Sequence, residues 1–513
     1  MRVTHALERA AIVAANRPAT IDADRRRNWA EVRDRVARFA GGLQQLGVQP
    51  GDRVAILAMN CDCFFEAYFA IPWAGGVMVP LNTRLAQPEL AFQLEDAGVD
   101  ILLYGQEFAE VAGALRGQGS VRTLIGMDGN GAPADHGMDA IILASDAIPA
   151  AQQSDADLAG IFYTGGTTGL PKGVMLSHGN LYAMAVNLLM MIQFDEDCVN
   201  FHSAPMFHLA DIGILFATMA AGTHVFRRSF DADDVLESIS EHKVTHCFTV
   251  PVMIERLAKH PELERFDIGS LRMLGYGGSS MPAASLDFAR SRFPGVDFIQ
   301  GFGQTEMAAA TMLGPKAHRV DADPAKLRSA GHVCLGYEIR IVDEAGREVP
   351  RGTVGEIVGR GDNVMMGYWN RPEETADVMR DGWLHTRDAG FMDEDGYIYI
   401  TDRLKDMIVS GAENVYSIEV ENAISHHPAV AESAVIGVPD ALWGERVHAV
   451  IVLKPGEGEI DIAGLQAFCK QRIASYKCPK SMELRADPLP RSPAGKILKG
   501  PLRDAYVARV SAD

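Results

Sequence analysis

Apolar positions along this 513-residue chain alternate between a helical and an extended spacing. Trp29, Val32, Val36, Phe39 and Leu43 recur at three- and four-residue steps, which predicts a helix over 28–47 that Gly47 to Gly51 stop. Arg53–Leu57 and Val77–Pro80 read as short strands on either side of an apolar helix at Phe64–Trp73. Leu158–Tyr163 is an unbroken apolar run of strand length. Leu181–Phe194 predicts a helix carrying Met184, Met190 and Met191, read first as core packing and second as the wall of an acyl channel. Leu271–Gly275 and Asp297–Gln300 add two more strands. Strands and helices keep alternating through residue 310, the pattern of an α/β fold with helices on both faces of a sheet. Residues 115–157, rich in Gly, Ala and Asp, read as a loop-like surface excursion.

Further along, Asp393-Glu394-Asp395-Gly396 predicts a hairpin turn into Tyr397–Ile400. A small α/β unit follows, with helices at Ile418–His426 and Ile462–Ala474 and strands at Ala431–Gly437 and Val447–Leu453. No internal repeat or low-complexity tract interrupts the pattern.

The length suggests about three or four domain-sized units. The net charge of −19, with no basic tract, argues against nucleic acid as a partner. An anionic ligand must therefore be drawn in by local positive charge. The seven cysteines are scattered, as expected of reduced thiols in a cytoplasm. Cys61 and Cys63 lie close, but no second pair stands at zinc-site spacing, so they read as a buried structural pair. The first ten residues show no long apolar core or cleavage site, so no signal peptide is expected, and the last residues carry no peroxisomal address. The longest apolar stretches fall short of the ~20 residues of a membrane span.

The chemistry-bearing stretch follows the Leu158–Tyr163 strand. It reads Thr164-Gly165-Gly166-Thr167-Thr168-Gly169, then Leu170-Pro171-Lys172-Gly173. Glycines let backbone N–H groups turn to one point, threonines add hydroxyl donors, and Lys172 adds positive charge, which together suit a polyphosphate. It is not a Walker A loop, because Lys172 has proline before it and glycine after it. This stretch resembles the phosphate loop of the adenylate-forming enzymes, which include acyl-CoA synthetases, luciferases and peptide-synthetase adenylation domains.

Five further segments carry the resemblance in the same order. Tyr276-Gly277-Gly278-Ser279 is similar to the adenine-binding glycine turn. Phe302-Gly303-Gln304-Thr305-Glu306 is similar to the aromatic-Gly-x-Thr-Glu motif, with Phe302 in place of the usual tyrosine. Trp383 to Asp388 resembles Gly-Trp-x-x-Thr-Gly-Asp, with Arg387 where the family has glycine. Asp402-Arg403-Leu404-Lys405 resembles the interdomain hinge, and Pro490-Arg491-Ser492-Pro493-Ala494-Gly495-Lys496 the catalytic-lysine loop.

The resemblance covers essentially the whole chain. It implies a large N-terminal domain of stacked α/β sheets over 1–402, a hinge at 403–405 and a small mobile α+β domain over 406–513. It implies an acid–thiol ligase with ATP, Mg²⁺ and coenzyme A as cofactors. Thr164, Gly165, Gly166, Thr167, Thr168 and Lys172 would hold the phosphates, and Gly277, Gly278, Ser279, Phe302 and Gly303 the adenosine. Asp388 would accept both ribose hydroxyls, and Arg403 would contact the nucleotide. Thr305 would meet the α-phosphate, Glu306 with Thr164 would hold Mg²⁺, and Lys496 would catalyse adenylation. Lys405 would be the pivot, and rotation there would bring Ser410, Gly411 and Ala412 to the pantetheine tunnel. His208, after Phe207, would sit at the acid.

The resemblance implies a small carboxylic acid as partner, a cytoplasmic protein without a transmembrane segment, and leaves room for a homodimer. His208 stands where amino-acid-activating relatives place an aspartate, so an amino acid is not expected. Gly275 and Gly277 would leave room, lined by Met206, Ile212, Val250 and Met307. A medium- or long-chain fatty acid comes first, an aryl or arylpropenoic acid second. An acyl-AMP ligase loading a carrier protein and a non-catalytic nucleotide sensor are the other readings.

Overall fold

The computed structural model describes the whole chain except residues 118, 129–130, 165–170, 193, 279–280, 404–405, 411–412, 441–443, 457, 459, 492–496 and 511–513. Asp402, Arg403, Val409, Glu413, Asn414, Gly444 and Val510 are described by their backbone alone.

Helix boundaries follow local chemistry. Asn28 caps the helix Trp29–Gln45 and exchanges hydrogen bonds with Glu31, so two otherwise unpaired N–H groups are satisfied at its start. The next helix, Asp62–Ala74, is buried along its whole length, and Gly75 ends it at φ 98°. Its cap is Cys61, whose sulfur accepts the Phe64 N–H at 3.3 Å, while Cys63 is buried beside it. The close cysteine pair is therefore structural, and no cluster of metal ligands occurs among the described residues.

Two large sheets face one another. One has nine strands and holds Met273–Gly277 between Asp297–Gln304 and His246–Thr249, with Val199–His202 next outward. The other has eight strands and holds the hairpin of Leu158–Thr164 with Lys172–Ser177, edged by the two-residue strand Gly367–Tyr368. The largest apolar cluster lies between them, joining Ile56, Met78 and Phe162 of one sheet to Phe226, Met273 and Ile299 of the other. A five-stranded sheet built on Gly355–Gly361 and Trp383–Met392 follows, then a C-terminal five-stranded sheet built on Val430–Asp440 and Gly444–Leu453. The fold is thus mixed α/β with a large N-terminal and a smaller C-terminal part. No helix among the described residues is long and apolar enough to cross a membrane.

Three sequence expectations need correction. Residues 115–157 are not a loop-like excursion: Thr123–Gly126 pairs in parallel with Ile101–Tyr104 inside the eight-stranded sheet, and Met138–Ala144 is a helix packed on Trp29–Gln45. A four-residue buried strand carries too few positions for a period to show. The strand expected at Asp297–Gln300 runs on to Gln304, because it pairs back on Ala308–Leu313 as a hairpin. The helix expected over Leu181–Phe194 is His178–Met191, started by the Ser177–Asn180 capping pair.

Candidate active site

The aromatic-Gly-x-Thr-Glu segment crosses the end of that hairpin. Gly303 leaves no alternative residue: an added Cβ would stand 1.5 Å from the Ala308 carbonyl oxygen. Thr305, Glu306 and Met307 form the turn, and Glu306 is half-buried there. Phe302 is half-buried and packs against Ile341, Ile357 and Ile398 of the neighbouring sheet.

Glu306 is held from the other large sheet. The Tyr368 hydroxyl donates to Glu306 Oε1 at 2.8 Å. Burial, and then the Glu306 charge, push the Tyr368 phenol well above its ordinary value, so the hydroxyl stays a donor. The Lys172 ammonium lies 5.0 Å from the centre of the same ring. Strand pairing explains the meeting, since Gly367–Tyr368 is hydrogen-bonded to the strand that begins at Lys172. Lys172 also forms an ion pair with Glu374. On its other side, Thr164 is in register with Lys172, and its hydroxyl donates to the Lys172 carbonyl at 3.4 Å. Three expected site residues, Thr164, Lys172 and Glu306, are thus tied together through Tyr368 and the hairpin.

Asp388 is brought to the same place by a residue the motif reading left out. Gln304 donates from Nε2 to Asp388 Oδ2 at 2.7 Å and to the Thr386 carbonyl at 2.9 Å. Asp388 is buried, with backbone in register with Arg403. Arg387, where the family has glycine, takes φ 59°, the left-handed conformation that glycine reaches freely. It is held there by an ion pair to Asp377 and by its N–H donating to Glu356 at 3.0 Å.

The glycine turn ends the strand Met273–Gly277, with Gly278 at φ 77°. Gly277 and Gly275 do not leave open room. A Cβ on Gly277 would be 2.8 Å from the Gly301 carbonyl, and one on Gly275 would be 2.2 Å from the Phe248 ring. Both glycines permit close approach rather than space. Phe248 is half-buried although its strand lies inside the sheet, so its ring borders open space, as do the half-buried Gln300 to Gln304 beyond it. Of the expected lining residues, Met206, Ile212 and Met307 are sealed in the core, while Val250 is half-buried. His208 is half-buried next to Phe207, with ring centres 4.5 Å apart.

Gly165, Gly166, Thr167, Thr168, Ser279, Lys405, Gly411, Ala412 and Lys496 lie outside the described residues, as does the Arg403 side chain. Ser410 ends the strand Ile408–Ser410. Tyr368, Gln304, Glu374 and Phe248 were not marked by spacing; only the position of Gln304 inside its motif could have drawn attention to it.

A divalent cation can be judged against this donor set. Mg²⁺ takes one or two protein carboxylates and fills its shell with phosphate oxygens and water. Glu306 fits that role, with Oε1 steadied by Tyr368 and Oε2 without a hydrogen-bond partner among the described residues.

Comparison with known proteins identifies the family. The family model described as AMP-binding enzyme matches residues 7–369, and that of the AMP-binding enzyme C-terminal domain matches 419–496. A feruloyl-CoA synthase of Amycolatopsis sp is 43% identical over 93% of this chain and 94% of its own length. A long-chain-fatty-acid–CoA ligase of Mycobacterium tuberculosis is 35% identical over 95% of this chain and 94% of its own. The anthranilate CoA ligase solved with anthranoyl-AMP superposes with a TM-score of 0.89 at 28% identity, covering 98% of this chain and 97% of that one. The chain belongs to the AMP-binding enzyme family: it is an acid–thiol ligase that works through an acyl-adenylate, with ATP, Mg²⁺ and coenzyme A.

Proposed function

We propose that the chain joins a compact, ring-bearing carboxylic acid, of the arylpropenoic kind, to coenzyme A. The observation that carries this reading is the Phe248 ring lying against Gly275. Where an acid would enter between the sheets, an aromatic ring occupies the space a bare strand would leave. Phe216 continues that wall edge-on at 5.4 Å, and Phe194 stands against Phe216 at 5.4 Å. A planar acid can stack on such a wall, whereas a long chain would need it moved. The feruloyl-CoA synthase relative supports the same class.

In this reading the Thr164 hydroxyl and Lys172 meet the triphosphate, and Thr305 meets the α-phosphate. Glu306 would hold Mg²⁺, which would supply positive charge to offset that of the leaving pyrophosphate. Gly277 and Gly278 let the adenine approach the backbone, and Gln304 steers Asp388 towards the ribose. His208 borders the acid. Lys496 neutralises charge between the attacking carboxylate and the α-phosphate, then leaves with the small domain, pivoting at Lys405. Ser410, Gly411 and Ala412 then meet the pantetheine. The two family models stop at 369 and resume at 419, which supports a division near 403–405. Preorganised charge of this kind carries ~10²–10³ in rate per group.

A medium- or long-chain fatty acid is the second reading. It is favoured by the partly buried Tyr182, Val186, Leu189 and Met191 along the helix His178–Met191. The test is AMP release from ATP and Mg²⁺ over arylpropenoic, benzoic and fatty acids, with and without coenzyme A. Turnover peaking on an arylpropenoic acid and requiring coenzyme A is expected. A peak on fatty acids overturns the substrate class, and pyrophosphate release indifferent to coenzyme A points to a carrier-protein acceptor.

A further inference from the structure

Behind Phe248 lies a buried polar chain that no motif marks. Asp211 Oδ2 is 2.7 Å from His202 Nδ1, His202 Nε2 is 2.9 Å from His224 Nδ1, and His224 Nε2 is 3.1 Å from Thr218 Oγ1. Thr218 Oγ1 lies 2.6 Å from the Ile214 carbonyl. A carbonyl can only accept, so the threonine hydroxyl donates there and accepts from His224 Nε2–H. Burial, and then the charge of His202, hold His224 neutral, which leaves its Nδ1 as an acceptor. His202 must then donate from Nε2, and a single further proton is shared between its Nδ1 and Asp211. Every link from Asp211 to the Ile214 carbonyl thus has one proton to carry it, as a rigid buried network requires.

The residue types are those of a proton relay, but no substrate reaches them: His224 and Thr218 are 0% exposed and His202 1%. Their place suggests holding instead. His202 is in register with Phe248, and Phe248 with Gly275, so the chain stands beside the aromatic wall on the same face of the sheet. Asp211 also takes its backbone N–H to the His208 carbonyl at 3.0 Å. From the other side, Asn60 donates to the carbonyls of His202 and Ala204 at 2.9 and 2.8 Å, and accepts the Met206 N–H at 2.8 Å. Asn60 belongs to the eight-stranded-sheet side of the core, just before the helix Asp62–Ala74. Its amide thus spans the two large sheets and uses each polar atom on one short segment.

We propose that Asn60 and the Asp211–His202 pair are positioning residues for the acid, clamping the segment 204–209 that carries Phe207 and His208 against the Phe248 wall. The proposal rests on the reading of that wall as the acid site. The clamp holds the segment that carries Phe207 and His208 and none of the residues assigned to ATP, so it acts on one substrate and not on the other.

The test uses the full-length protein with Asn60→Ser, Asp211→Leu and Asp211→Asn. Asparagine keeps a hydrogen bond, its amide donating to His202 Nδ1 as a protonated carboxyl would, and removes only the charge. Leucine fills the volume and keeps neither. A buried hydrogen bond lost this way changes an equilibrium by about tenfold or more. Expected are a KM for the acid raised about tenfold in Asn60→Ser and Asp211→Leu, a KM for ATP within about twofold, and Asp211→Asn nearer the parent. Amide exchange at Met206, measured without substrates, should quicken in the first two variants, and at Asp211 in Asn60→Ser. Both KM values rising together, or a lowered unfolding temperature with an unchanged KM for the acid, would overturn the proposal. If Asp211→Leu does not fold, Asn60→Ser decides. An inactive parent on every acid would count against the acid-ligase reading, while unchanged exchange at Met206 and Asp211 would sink the clamp by itself.

Discussion

The Tyr368 hydroxyl donates to Glu306 Oε1 across the gap between the two large sheets, at 2.8 Å. The same ring carries the Lys172 ammonium 5.0 Å from its centre. One side chain therefore orders a carboxylate suited to Mg²⁺ and a cation suited to the phosphates. Hydrogen bonds to charged groups contribute about 1.5–3 kcal/mol. Tyr368→Phe keeps the ring under Lys172 and removes only the donor. Adenylation should slow about tenfold, and the Mg²⁺ concentration for half-maximal rate should rise, with acid KM unchanged. A Mg²⁺ titration of pyrophosphate release checks this, and an unaltered titration would refute it.

Glu374 pairs with Lys172, one of the groups assigned to the phosphates. A triphosphate must compete with it. Lys172 is 31% and Glu374 42% exposed, so the pair contributes at most about 1 kcal/mol, or roughly fivefold. Glu374→Gln should lower the ATP dissociation constant by up to about that factor, read by calorimetry. Weaker ATP binding would mean that Glu374 orients Lys172 instead of opposing the nucleotide.

Phe248→Ala should open the floor at Gly275. Turnover of medium-chain fatty acids should then gain relative to arylpropenoic acids, by about tenfold in the ratio of kcat/KM, the range for a hydrophobic pocket change. Competition between one acid of each kind measures it directly. An unchanged ratio would place the acid elsewhere.

Arg387 occupies a conformation that costs a non-glycine residue about 1–2 kcal/mol. Its ion pair to Asp377 is more than half exposed on both sides and returns little. Arg387→Gly should leave stability equal or raise it by up to about 1 kcal/mol, whereas Arg387→Val should lower it by a similar amount or more. Urea midpoints distinguish the two.

Burial pushes seven phenols above their ordinary value, Tyr104 and Tyr399 less and five others strongly: Tyr68, Tyr163, Tyr276, Tyr337 and Tyr368. A raised folded value means that the unfolded chain loses its protons first. Their stabilisation is whole below the unfolded phenol value of about 10 and is lost as pH climbs from there towards the folded values. The urea midpoint should therefore fall steeply above pH ~10. Ultraviolet titration of the native protein should show these five ionising only as it unfolds; free ionisation of all twelve tyrosines with the fold intact would contradict it.

Local signals were legible wherever a short stretch decides its own conformation. The strand at Leu158, the helix capped at Asn28 and the Asp393–Gly396 turn need only neighbouring residues, and the motif order pointed to the family. What spacing alone does not show is which side chains meet. Tyr368 reaches Glu306 from another sheet, and Gln304 reaches Asp388 across eighty-odd residues. The strand Thr123–Gly126 was hidden because it is recognised by its neighbours in the sheet, not by its own four residues. Gly275 was read as space because a sequence shows the missing side chain and not the ring that fills the gap. Sequence by itself determined the family, the order of elements and the inventory of charged groups, since these depend on residue type and spacing. Tertiary structure alone decided the Tyr368–Glu306 contact, the aromatic wall and the Asp211–His202–His224 chain. Each of these depends on which strands and helices come to lie side by side, which spacing along the chain does not set.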